Sequence, residues 1–155
     1  MSILVLDKEL ILGPIDARTD EAAIRKVARA LRRAGYVGAG YTNAVLKRER
    51  EFPTGLPTEG AGVAIPHCDA GHVLKPTVAC ATLLHPVKFG LMAGEDGETV
   101  DVDIILMLAI QDPQEQLDVL KRVCTVVQDP ELLITLKAAT DKEQVLHILE
   151  RVFAA

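Results

Sequence analysis

The sequence predicts an α/β architecture, with a central mixed β-sheet flanked by helices on both faces in a single domain. Three observations carry this expectation. Apolar runs of strand length alternate with segments of helical periodicity. One run, 100–110, starts in strict alternation, with Val100, Val102 and Ile104 set against Asp101 and Asp103. It then turns continuously apolar through Ile105, Leu106, Met107, Leu108 and Ala109, as a strand covered on both faces does. The 155 residues contain no long linker and no internal repeat, which is about one domain of chain. Helices on both sides of central strands imply layers rather than a bundle. Strand order is not readable.

Along the chain, residues 20–34 place Ile24, Val27, Ala28, Leu31 and Ala34 on one helical stripe, with Gly35 as the stop. The opposite face carries Arg25, Lys26, Arg29, Arg32 and Arg33, read as a solvated surface. A second helix is expected over 42–51, broken by Phe52-Pro53. The stretch 53–62, rich in proline, glycine and threonine, reads as a loop that leads into a strand at 63–66. A further strand is expected at 77–84, after Pro76. Asp112-Pro113 offers an N-cap and a first-turn proline, followed by a stripe of Leu117, Leu120, Cys124 and Val127. Asp129-Pro130 repeats that start signal. Thr140-Asp141-Lys142-Glu143 reads as a capping box opening a last helix, with Val145, Ile148, Leu149 and Val152 inward.

Composition narrows the function. Aromatic residues make up 3% of the chain and tryptophan is absent, which argues against a base-stacking nucleic-acid platform. The net charge of −5 argues against general affinity for DNA or RNA, which needs a cationic face. No apolar run approaches the ~18 residues of a membrane span, and the first residues lack the form of a signal peptide. Direct membrane insertion is therefore not expected. Cys68, Cys80 and Cys124, an odd number without a CxxC pair, fit reduced thiols and a cytoplasmic location.

The segment Gly62-Val63-Ala64-Ile65-Pro66-His67-Cys68 is the most informative in the chain. A short apolar strand stops at a proline, and the next residue is a histidine, expected to be presented at the surface from the strand end. Of the other histidines, His147 reads as a plain helix residue and His85 as a turn residue before Pro86. His72 lies five residues beyond His67, and both a position folded back toward His67 and one facing water stay open. A metal site from His67, Asp69 and His72 matches no known ligand spacing, so neither metal nor cofactor is expected. No GxSxG elbow, Walker loop or GxGxxG follows a strand. Cys68 is an unfavourable nucleophile partner for His67, because strand neighbours point to opposite faces. A lone imidazole at a strand end can itself attack phosphorus and form a phosphohistidine.

Taken in order, Leu46-Lys47-Arg48-Glu49, Phe52-Pro53-Thr54-Gly55-Leu56, Ala64-Ile65-Pro66-His67, Pro86-Val87-Lys88-Phe89 and Met107-Leu108-Ala109 resemble the enzyme IIA domain of mannitol/fructose type. That family belongs to the bacterial phosphoenolpyruvate-dependent sugar phosphotransferase system (PTS). The resemblance spans nearly the whole chain, 1–155, and its wording is most similar to galactitol-type members. It implies a phosphotransferase in which His67 takes a phosphoryl group from phospho-HPr and gives it to a cysteine of a IIB component, associated with a membrane IIC, during uptake of a sugar such as a hexitol. Arg48 matches an arginine near the active histidine, where a guanidinium would pair with phosphoryl charge. The family's mannitol and fructose branches carry a second histidine where this chain has Gln116, and an amide cannot become cationic. The resemblance leaves His72 as a candidate to supply that imidazole. The alternative it allows is a nitrogen-type regulatory IIA, whose His67 phosphorylation would control protein partners.

Overall fold

The computed structural model describes residues 4–153. Five strands form one mixed sheet: β1 (Ile11–Ile15), β2 (Gly55–Leu56), β3 (Val63–Ala64), β4 (Thr77–Gly90) and β5 (Thr99–Ala109), ordered β1-β4-β5-β3-β2. β1 runs parallel to β4 and β3 parallel to β5, while β4–β5 and β2–β3 are antiparallel. Helices α1 (Asp20–Arg33) and α2 (Tyr41–Glu51) cover one face. Helices α3 (Pro113–Val127), α4 (Pro130–Ala138) and α5 (Lys142–Phe153) cover the other. The expected α/β sandwich is the observed fold.

β5 explains the two layers. Val102, Ile105, Met107 and Ala109 pack with α1 and α2, whereas Ile104, Leu106, Leu108 and Ile110 pack with α3 to α5. Successive strand residues face opposite ways, so an uninterrupted apolar run feeds both cores. On β4, Ala79 and Ala81 face α1 and α2, and their size lets those helices approach the sheet closely.

Helix ends follow the chain chemistry. Thr19 caps α1 by accepting from Ala22 N–H. Gly35, at φ +86°, ends it: Gly35 N–H donates to Arg32 C=O and Tyr36 N–H to Leu31 C=O, a Schellman pattern. Asp112 and Asp129 cap α3 and α4, each followed by a first-turn proline as expected.

Several expectations are corrected. The stretch 53–62 is not wholly loop, since Gly55–Leu56 forms the edge strand β2. Nor does the second long strand stop at residue 84. It runs to Gly90, and its residues 83–86 bulge opposite β5 between Thr82 and Val87. His85 is therefore an exposed strand residue, and Pro86 is tolerated because a bulge needs no ladder donor there. α3 buries Val119, Val123 and Val126 rather than Leu117 and Cys124, which are exposed. Asp141, not Thr140, caps α5, accepting from Glu143 N–H at 3.0 Å.

The start of β3 is clamped. Gly62 C=O accepts from Asp103 and Ile104 N–H at 2.8 and 3.1 Å. Gly62 N–H reaches the Asp103 carboxylate at 3.3 Å, and Lys137 of α4 pairs with the other oxygen. A Cβ at Gly62 would stand 1.8 Å from the Asp101 carbonyl oxygen. Gly62→Ala must therefore push β3 from β5, and we expect a loss of about 2–3 kcal/mol. The check is a lowered urea midpoint at unchanged m-value.

Candidate active site

β3 and β5 run side by side in one direction, and the chain leaving β3 stays beside β5, since Leu108 N–H donates to Pro66 C=O at 3.1 Å. α2 is fastened to the same place: Tyr41 O–H, fully buried, donates to Leu108 C=O at 2.7 Å. One helical face then carries Tyr41, Val45, Arg48 and Glu49 in turn, at i, i+4, i+7 and i+8. That face delivers two charged residues toward the end of β3.

His67 follows Pro66 at this end. It is only 7% exposed, so the expectation of a ring presented on the surface is corrected. β3 lies between β5 and β2, an interior place whose end stays covered, and residues 61–68 are buried without a break. The ring's Nδ1 lies 2.7 Å from Ile65 C=O. A carbonyl oxygen only accepts, so Nδ1 carries the proton and Nε2 keeps its lone pair. Burial pushes the His67 pKa below its ordinary value, the Ile65 bond opposes that, and the Arg48 charge lowers it further. The ring is neutral at pH 7.

Arg48 is half-buried, its guanidinium 5.3 Å from the centre of the Phe52 ring. Its buried Nε–H has no hydrogen-bond partner among the described residues. Its charge lowers the pKa of both His67 and Cys68. Gln116 sits in the first turn of α3, shortly beyond the end of β5, and its buried Oε1 is likewise unpartnered among the described residues. His72 is exposed on a 3-10 turn, Ala70–His72. Its C=O accepts from Gly38 N–H at 2.9 Å, and its ring lies against Gly40, where a Cβ would stand 2.7 Å from it. Small residues flank His67 in sequence, Ala61 and Gly62 before it and Ala70 and Gly71 after it. The first two are buried beside β5, and the exposed apolar residues include Phe52, Leu74 and Leu117.

Cys68 is a poor second nucleophile. Burial raises its thiol to about 11, and Sγ donates to Asp69 C=O at 3.3 Å.

Sequence reasoning missed the polar pair behind His67. Glu49 is 6% exposed and accepts from Thr54 N–H at 2.7 Å and from Thr54 Oγ1–H at 2.8 Å. The buried Thr54 hydroxyl in turn accepts from Ile65 N–H at 3.1 Å. Glu49 was identifiable as the one acidic side chain on the apolar face that Tyr41 and Val45 define.

The chain belongs to the family described as phosphoenolpyruvate-dependent sugar phosphotransferase system, EIIA 2, whose sequence model matches residues 4–152. It is 34% identical over 103 residues to the galactitol-specific EIIA component of the PTS from Escherichia coli (strain K12), covering 66% of this chain and 67% of that protein. The crystal structure of IIA mannitol from Escherichia coli is 28% identical and superimposes with a TM-score of 0.76 over 94% of this chain and 99% of that one. The solution structure of the complex of enzyme IIA(Mtl) with phosphorylated enzyme IIB(Mtl), also from Escherichia coli, matches with a TM-score of 0.79 at 26% identity, over 96% and 99% of the two chains. Among the described residues, no helix is long and apolar enough to cross a membrane.

Burial raises the Glu49 pKa from 4.5 to about 7, against the two Thr54 hydrogen bonds that lower it. Below pH 4.5 the folded and unfolded chains both hold this proton; above about 7 neither does. Between those values only the folded chain holds it, so this group's contribution to stability falls as pH rises, by about 3 kcal/mol in total. Glu49→Gln lacks that slope. Its stability relative to wild type should improve by about 3 kcal/mol from pH 4.5 to 8, measured by urea unfolding. A difference independent of pH would contradict the assignment.

Proposed function

We propose that this chain is a PTS phosphoryl carrier in which Nε2 of His67 is the acceptor. The observation that carries the reading is the 2.7 Å contact of Nδ1 with Ile65 C=O. It ties up one ring nitrogen as a donor and leaves the other as a lone pair on a neutral ring. In the forward step the donor's N–P bond breaks as the Nε2–P bond forms, through a loose, in-line transition state. Nδ1 keeps its proton, so the phosphorylated ring is cationic, and the Ile65 carbonyl stabilises that charge. In the onward step an acceptor thiolate forms an S–P bond, the Nε2–P bond breaks, and the ring returns to its neutral state. The preset ring lowers the cost of alignment between two protein surfaces.

Arg48 supports this role through its unpartnered buried Nε–H, a donor that a phosphoryl oxygen would satisfy with charge assistance. Gln116 contributes an amide in place of an imidazole, and His72, five residues beyond His67, is the candidate to supply one. The donor is phospho-HPr and the acceptor a cysteine of a IIB component that works with a membrane IIC. The partner of IIA(Mtl) in that complex, phosphorylated IIB(Mtl), favours that acceptor. Exposed Phe52, Leu74 and Leu117 offer the apolar contact such docking needs. The galactitol-specific relative favours a hexitol as the transported sugar, and the three cysteines without a CxxC pair favour a cytoplasmic place for the carrier.

The test is incubation with phosphoenolpyruvate, enzyme I and HPr, followed by assay for an acid-labile, base-stable phosphate. Wild type should be labelled and His67→Gln should not; a full label on His67→Gln overturns the reading. Arg48→Ala should slow labelling on the order of 100-fold. His72→Ala at the wild-type rate would remove that residue from the site. Because the His67 pKa is lowered from its ordinary 6.5, the labelling rate should stay level from pH 8 down to about 6.5 and decline only below that, where the ring gains its second proton and loses the lone pair. A decline already complete at pH 6.5 would contradict a neutral, buried ring.

A further inference from the structure

Behind the ring, four groups form an ordered series of hydrogen bonds whose directions are forced. Ionised, as it is above a pH of about 7, the Glu49 carboxylate only accepts, and its two oxygens take Thr54 N–H and Thr54 Oγ1–H at 2.7 and 2.8 Å. With its proton committed to Glu49, the Thr54 hydroxyl can only accept from Ile65 N–H, at 3.1 Å. Ile65 C=O then accepts from His67 Nδ1–H. Register explains the third link. β2 and β3 pair Gly55 with Ala64 and Leu56 with Val63, so the next opposed pair is Thr54 and Ile65. There a side-chain oxygen takes the Ile65 N–H just beyond the end of β2. Ile65 is held from two further sides: its side chain is buried among α3 to α5 residues, and Pro66 confines its backbone to the extended region.

Neither Glu49 nor Thr54 can serve as acid or base to the phosphoryl group. Both carboxylate oxygens are occupied, the hydroxyl proton is committed, and all of these atoms are buried behind the strand. Their effect must pass through the Ile65 backbone. We infer that Glu49 and Thr54 are positioning residues for the phosphoryl transfer, a brace that fixes the Ile65 peptide so that its carbonyl holds His67 as the Nδ1–H tautomer with Nε2 as the nucleophile. This inference rests on the reading of His67 as the acceptor. Small misplacements of a reacting group cost disproportionately in rate, because the nucleophile must meet the donor in line.

The experiment pairs two readouts on Thr54→Val, which keeps the shape of the side chain and removes the hydroxyl. Long-range 1H–15N correlation spectra of the imidazole report the tautomer without any transfer taking place. Rates of labelling by phospho-HPr report the chemistry. In wild type the spectra should show Nδ1 protonated and Nε2 bare. In Thr54→Val they should move toward a mixture of tautomers, and labelling should slow by about tenfold at an unchanged KM for phospho-HPr. Thr54→Ser restores the hydroxyl and should restore both readouts. A folded Thr54→Val with the wild-type tautomer and a rate within about twofold of wild type overturns the brace. If Thr54→Val does not fold, Glu49→Gln takes its place: the same spectral shift supports the brace and an unchanged tautomer overturns it. Wild type that shows the Nδ1–H tautomer yet takes no label from phospho-HPr overturns the functional reading while leaving the brace intact. Labelled wild type with an indifferent Thr54→Val does the reverse.

Discussion

The hydrogen bond between His67 Nδ1 and the Ile65 carbonyl joins the backbone of a two-residue strand to the chemistry of a side chain. A free imidazole exchanges its proton between two nitrogens, and each exchange turns a nucleophile into a donor. Here the carbonyl removes that choice. Burial supports it by keeping the ring neutral, since desolvation disfavours the charged form of histidine. The ring is therefore set before a phosphoryl donor arrives.

A strand as short as β3 cannot hold such a carbonyl alone. Its start is clamped by Gly62 against β5, where no side chain larger than hydrogen fits. Its end is held through Pro66 C=O by Leu108 N–H, and Leu108 C=O receives the Tyr41 hydroxyl. That last bond also sets α2, which carries Arg48 and Glu49. One helix thus brings both a cation within electrostatic reach of the ring and a carboxylate behind the strand. Glu49 remains a buried acid with a strongly raised pKa, an arrangement that lowers stability at neutral pH and is characteristic of functional sites.

Much of this was legible in the sequence, for physical reasons. The run 100–110 announces a central strand because its length and continuity suit burial on both faces. Pro66-His67 marks a strand end because proline removes a donor and confines its neighbour. Arg48 and Gln116 were found through resemblance, and the spacing that puts Arg48 on the face of Tyr41 and Val45 agrees with it. β1 was missed because Gly13-Pro14 cuts short the apolar run Leu10-Ile11-Leu12, an interruption that an edge strand tolerates. β2 was missed because two residues among prolines and glycines carry no period. In α3 two stripes, Leu117-Leu120-Cys124-Val127 and Val119-Val123-Val126, satisfy the same helical spacing. Only packing on the sheet distinguishes them. The brace lay in the Arg48-Glu49 and Pro53-Thr54 blocks, but its link to Ile65 needs the β2–β3 register, which sequence spacing does not give.

The central claim is that the buried carbonyl selects which nitrogen reacts. Its most direct test is the 31P–15N coupling in protein phosphorylated with phosphoenolpyruvate, enzyme I and HPr and labelled with 15N-histidine. The account predicts phosphorus bonded to Nε2 of His67, with Nδ1 still protonated. Phosphorus on Nδ1, or on His72, would contradict it.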